Sequence, residues 1–160
     1  MPDLPLAALI AVYALCWVGL HLGAGLIAHL LPERVLRRGR WWYQPRAFEQ
    51  SGRLYRRLFG IQRWKHRIPE AGNFYRGGFA KRTFGRSDAA YAERFVLETC
   101  RAEFSHWLTI GLALTFQLWN DWYVTVLMLA YAVAVNLPCI LIQRYNRPRL
   151  LRLYERLSGR

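Results

Sequence analysis

The residues best suited to chemistry lie together between Glu98 and Trp107, in the run Glu-Thr-Cys-Arg-Ala-Glu-Phe-Ser-His-Trp. On a helix each residue advances about 100°. With Glu98 at zero, His106 falls at about 80° and Glu103 at about 140°. One arc therefore carries two carboxylates and an imidazole, and Glu103 and His106 are i, i+3 neighbours. Carboxylate beside imidazole is the grouping of general acid–base chemistry. Glu-x-x-His is also half of the ligand set in carboxylate-bridged metal sites. An apolar run, Leu108 to Trp119, follows directly. Ionisable residues at the mouth of a membrane helix are costly to place, which marks the arc as a candidate site. Cys100 adds a thiol to the same stretch, whereas Cys16 and Cys139 lie in apolar runs with no metal-binding spacing.

The elements that position this arc follow from how charge and apolarity are distributed. The 160 residues are 54% hydrophobic yet carry a formal net charge of +13, and the two properties are segregated. Every Lys and Arg lies in 34–101 or 144–160, and none lies in 1–33 or 102–143. This is the charge pattern of a membrane protein with its basic parts on one side. It predicts an all-α integral membrane protein, a single domain over 1–160, with three transmembrane helices at about 4–31, 104–119 and 122–142 plus interfacial amphipathic helices. The N-terminus lacks the basic start of a signal peptide, so the first helix is expected to be retained. The positive-inside rule puts the N-terminus outside, the basic segment 32–103 inside and the C-terminus in the cytoplasm of a bacterial cell. Nucleic acid is not the expected partner of this charge, because the basic residues flank membrane spans; membrane lipids are.

Within the basic segment, Arg53 to Phe59 reads as a short amphipathic helix with Leu54, Tyr55, Leu58 and Phe59 on one face. Lys65-His66 supplies a cation and a titrating ring, and Gly72, Gly77 and Gly78 with Arg76 and Lys81 form a weak anion-binding pattern. Ser87-Asp88 caps the helix that carries the arc. Asn136-Leu137-Pro138 is expected to break the last span midway. The chain then leaves the membrane as Gln143-Arg144-Tyr145-Asn146-Arg147-Pro148-Arg149 and ends in an amphipathic tail, 147–160. His21 on the first helix reads either as a helix–helix hydrogen-bonding group or as part of a cavity lining.

Three stretches carry a family resemblance: Arg63-Trp64-Lys65-His66, the run Glu98 to Trp107, and Gln143 to Leu150. With Phe48-Glu49, Gly52 and Asn136-Leu137-Pro138, they resemble the glycosyl-4,4'-diaponeurosporenoate acyltransferase family of staphyloxanthin synthesis. The similarity runs in order over nearly the whole chain, and the 143–150 string is its most specific part. The resemblance implies a membrane acyltransferase that moves a fatty acyl chain onto a sugar hydroxyl borne by a long isoprenoid lipid. It implies an acyl donor such as acyl-CoA or acyl carrier protein and a lipid-linked or glycosylated acceptor, with no other cofactor and no metal.

For that reaction a base takes the hydroxyl proton, and cations or N–H groups stabilise the oxyanion. The residues supply His106 as base, oriented by Glu103 or Glu98. Arg101, Arg144, Arg147, Arg149, Lys65 and His66 are candidates for substrate binding, because Arg makes bidentate contacts to phosphate and carboxylate. Asn146 is a candidate oxyanion donor. Two other readings fit the same residues. Glu103-x-x-His106 with Glu98 and His66 or His21 would build a metal-dependent hydrolase or lipid-modifying enzyme. A small membrane subunit or lipid-binding adaptor, acting through partners or as a homo-oligomer, needs no catalysis at all. The acid–arginine groups would then be an ion network pinning two helices.

Overall fold

The computed structural model describes residues 5–36, 41–68 and 89–159. Every regular element among them is a helix. The first, α1, spans Leu6–Leu30. It begins after Pro5, whose fixed φ suits a helix start, and ends at Leu31, driven into extended backbone by Pro32. A short turn, α2, follows at Glu33–Leu36. The basic segment folds as a 3-10 stretch at Ala47–Gly52, then α3 at Arg53–Phe59 and α4 at Ile61–Trp64. Helix α5 runs Ala89–Leu112 and tightens into a 3-10 segment at Ala113–Leu118. Helix α6 is a single rod, Trp122–Leu157.

Two helices, α1 and α6, are long and apolar enough to cross a membrane. The third expected span, 104–119, is not an unbroken helix of that kind: regular α-helix stops at Leu112. Its preceding turns carry the ionisable arc, which lowers its apolar length. Helix α6 also differs from expectation. It passes through Pro138 and Pro148 without a break and absorbs the tail drawn as a separate element from 147. Each proline removes one N–H from the ladder, and the flanking turns still close. At 36 residues the rod is about 54 Å long at 1.5 Å per residue. It exceeds a hydrocarbon core of about 30 Å, so its Arg-bearing end projects beyond one.

The apolar halves of α1, α5 and α6 meet around Ala113, Phe116 and Ala132. Trp17 of α1 joins them, its ring 5.2 Å from Phe116 and 4.9 Å from Tyr131. At the basic end, Leu36, Tyr43 and Cys100 form a second core, and Tyr55, Ile61, Ile142 and Tyr145 a third. The 41–68 segment thus packs against the C-terminal half of α6. Of the amphipathic face read over 53–59, only Tyr55 is buried, while Leu58 and Phe59 stay exposed. His21 spends Nδ1 on the carbonyl of Trp17, four residues back in its own helix, at 2.9 Å. The expected Ser87-Asp88 cap and the glycine–basic loop at 72–81 lie outside the described residues.

Candidate active site

Two polar centres lie along the seam between α5 and α6. The outer one is a buried network of four charges. Glu103 of α5 meets Arg144 Nη1 through Oε1 at 3.1 Å and Arg147 Nη2 through Oε2 at 2.6 Å. Arg144 also donates from Nε to Glu49 Oε1 at 2.9 Å. Arg147 fills its fork with Thr99 Oγ1, the Thr99 carbonyl and the Tyr43 carbonyl, each at 3.0 Å. Two carboxylates balance two guanidiniums, so the buried cluster is neutral. That balance is what makes it tolerable away from water.

Glu49 is brought into this cluster by an unusual turn. Gln50, Ser51 and Gly52 all have positive φ, at 47°, 55° and 88°. The reversal aims the Glu49 carboxylate inward, where Oε1 accepts from Tyr55 Oη at 2.8 Å and Oε2 from the Arg46 N–H at 3.1 Å. Gly52 is also pressed against α6: a Cβ there would lie 2.7 Å from Arg149 Nη1 and 3.2 Å from the Tyr145 carbonyl. Burial, then the Glu49 hydrogen bond, raises the Tyr55 phenol above its ordinary range. Burial likewise pushes Tyr43 up to about 12.

The inner centre is His106 with Asn136. His106 Nδ1 lies 2.8 Å from Asn136 Oδ1, and Asn136 Nδ2 donates to the Ala132 carbonyl at 2.8 Å. The second bond fixes the amide, so Oδ1 can only accept. His106 Nδ1 therefore carries a proton toward Asn136, which in a neutral imidazole corresponds to the tautomer with its lone pair on Nε2. The orienting group is Asn136 on the neighbouring helix. Glu103 faces the two arginines instead, and Glu98 pairs with Arg101 at 3.3 Å.

The expected substrate-binding residues divide. Arg144 and Arg147 are committed to carboxylates and carbonyls inside the fold. Arg101 donates from Nη1 to the carbonyls of Ala28, His29 and Leu31, closing the C-terminus of α1, where helix carbonyls lack internal donors. Arg149 and Lys65 flank the Tyr145 ring, at 3.6 Å and 5.1 Å from its centroid, both half-buried, and Arg149 Nη1 also donates to the Tyr145 carbonyl. His66 is exposed and Asn146 half-buried. Asn146 stands ten positions, about 15 Å, along the axis from Asn136, too far to serve an oxyanion formed beside His106. Cys100 is fully buried, and burial raises its thiol pKa, which is unsuited to a nucleophile. Among the described residues, no group of three or more His, Cys, Asp or Glu is placed to hold a metal. Glu103 is instead occupied by guanidiniums.

Residues 39–156 match the family described as glycosyl-4,4'-diaponeurosporenoate acyltransferase. The chain belongs to that family. It is 28% identical over 144 residues to the glycosyl-4,4'-diaponeurosporenoate acyltransferase of Staphylococcus aureus strain bovine RF122 / ET3-1, covering 90% of this chain and 87% of the relative. Against the protein of the same name from Staphylococcus haemolyticus strain JCSC1435, identity is 30% over 144 residues, covering 90% and 84%. No solved structure matches.

The family match takes in both polar centres. Tyr43, Glu49, Tyr55, Thr99 and Asn136 are partners in them that are not among the sequence-derived site residues. Glu49 sits 95 positions from the arginine it meets, and helical periodicity is blind to such a pairing. A signal was present, since Glu49 is an isolated acid in a strongly basic segment, three positions before Gly52.

Proposed function

We propose that this chain is a membrane acyltransferase. It moves a fatty acyl chain from a thioester donor, acyl-CoA or acyl carrier protein, to a hydroxyl of a glycosylated isoprenoid or similar lipid. Family membership supports acyl transfer, and the names of the staphylococcal relatives supply the glycosylated class of acceptor. The apolar helices α1 and α6 support a site bordering lipid, with α5 as a shorter third element in the bilayer and the basic residues in the cytoplasm.

His106 acts as base through Nε2. It takes the proton of the acceptor hydroxyl as that oxygen attacks the thioester carbonyl. The tetrahedral oxyanion collapses, the C–S bond breaks, and the thiolate leaves with the proton returned by His106. No covalent acyl-enzyme is needed, consistent with the inert setting of Cys100. Anionic groups of the donor fall to Arg149 and Lys65, which are half-buried beside Tyr145 and pair with no carboxylate among the described residues, and not to Arg144 and Arg147.

The observation that carries this reading is the Asn136 lock on His106, because it presets the tautomer that accepts a proton. The test is transfer of labelled acyl groups to lipid by membranes containing wild type, His106→Ala or Asn136→Ala. His106→Ala is expected to abolish transfer with normal membrane levels. Asn136→Ala is expected to lose about 10²–10⁴-fold, the range supplied by a positioned general base. Full activity of the His106 variant overturns the assignment.

A further inference from the structure

The reading above leaves one buried group unused. Gln143 on α6 is 6% exposed, and its Oε1 has no hydrogen-bond partner among the described residues. A buried acceptor left unmade is expensive. Gln143 lies seven positions after Asn136 and four before Arg147, so the three share one stripe of the helix within about 40°. Both of its stripe neighbours cross to α5, Asn136 to His106 and Arg147 to Thr99 and Glu103. Gln143 thus lies on the same seam, between the two centres. Helical side chains lean toward the N-terminus, which tips Gln143 toward Asn136 and His106.

Glu103 lies on the same seam, but its two oxygens are taken by Arg144 and Arg147 at 3.1 Å and 2.6 Å. Gln143 Oε1 therefore offers a lone pair there and lacks a donor among the described residues. The axial gap between Asn136 and Gln143 is about 10 Å from backbone to backbone. The inward lean of the side chain reduces this to a span that a sugar ring can bridge. Ligands rich in O–H groups, such as hexoses, satisfy acceptors of this kind.

We infer that Gln143 anchors the acceptor sugar by accepting a hydrogen bond from a hydroxyl that does not react, while His106 faces the one that does. This rests on the proposed acyl transfer for the choice of a sugar, but it concerns binding alone. Gln143 is a specificity residue: it makes the site prefer a glycosylated lipid to a simple alcohol. A site built to bond a hydroxyl rejects the analogue lacking it, because its own polar group is then left unpaired.

The test is a binding cycle that needs no turnover. Octyl glucoside, below its micelle concentration, and its monodeoxy analogues are titrated against nanodisc-embedded wild type and Gln143→Met, with empty nanodiscs subtracted. In wild type, removal of one particular hydroxyl is expected to weaken binding about tenfold, the loss typical of a buried hydrogen bond. In Gln143→Met the same removal is expected to make no difference. Equal losses in both proteins, equal affinity of both for octyl glucoside, or no binding by wild type would each overturn the inference. If Gln143→Met does not fold, wild type must still discriminate among the deoxy analogues, and its failure to do so overturns the inference equally. A wild type that binds the glucoside with this discrimination but transfers no acyl group would instead sink the proposed reaction.

Discussion

Replacing Glu103 with Gln separates a folding role from a chemical one. The cluster is neutral as it stands, with Glu49 and Glu103 against Arg144 and Arg147. The substitution makes it net positive. Arg144 retains Glu49, but Arg147, 2% exposed, is left with the neutral acceptors of Thr99 and Tyr43. Removing one partner of a buried pair costs about 3–5 kcal/mol. The Gln oxygen can still accept from Arg144, which favours the lower end, about 3 kcal/mol. In a chain of this size that is about 6–12 °C in melting temperature. Adding Arg147→Met removes the orphaned charge, so the double variant is expected to recover about 2 kcal/mol of the summed losses. Thermal unfolding of the four proteins in one detergent, followed by tryptophan fluorescence, measures this. Glu103→Gln melting within about 2 °C of wild type while losing all acyl transfer would refute the latch. So would a double variant whose loss is the plain sum of the singles.

Three further outcomes are expected. Gly52→Ala forces a Cβ onto φ 88°, a left-handed conformation costing about 1–2 kcal/mol, so its melting temperature should fall; an unchanged value would mean the turn at 50–52 is not held as described. Arg101→Met removes the donor shared by three carbonyls at the end of α1, so amide exchange over residues 28–36 should accelerate while exchange in α6 does not, and matched exchange in wild type and variant counts against the cap. For pH, Tyr43 and Tyr55 both hold their protons more tightly folded than unfolded. The stability this contributes is complete below the unfolded value of about 10 and is lost as pH rises toward the folded values. For Tyr43 the window is therefore about 10 to 12, on the order of 2 kcal/mol. Tyr43→Phe should flatten that alkaline decline, and an identical pH profile would show that Tyr43 does not supply it.

What the sequence could reveal was local. The apolar runs located α1 and α6, and the periodicity of Arg53 to Phe59 gave α3 its observed ends. Of the arginines expected to leave the membrane at 144–149, Arg144 and Arg147 meet Glu103. The failures share one cause, which is that contacts between distant segments override local rules. The missing N–H of Pro138 alone predicts a break, yet α6 passes straight through it. The i, i+3 spacing pairs His106 with Glu103, because that is the contact periodicity exposes. The arginines captured Glu103, and Asn136, 30 positions away, took the ring. Arg101 fell in the candidate site by proximity to Glu98, whereas its use is to close a helix that ends 70 residues earlier.

The most recognisable string of the chain, Gln143 to Leu150, therefore has two roles. Its arginines at 144 and 147 are saturated by carboxylates and carbonyls from two separate segments. A guanidinium in that state can bind a diphosphate only by giving up a buried carboxylate, which would leave the acid unpaired in turn. Their chemistry is spent on holding the 41–52 segment and α5 against α6. Arg149, one turn on from Tyr145, meets no carboxylate among the described residues: it donates from Nη1 to the Tyr145 carbonyl and stacks on the ring, with Lys65 near the same ring. Gln143, one turn before Arg147, has its carbonyl oxygen buried and unmet among them. Between the latch and the imidazole held by Asn136, the seam thus keeps a buried acceptor at Gln143 that nothing among the described residues satisfies.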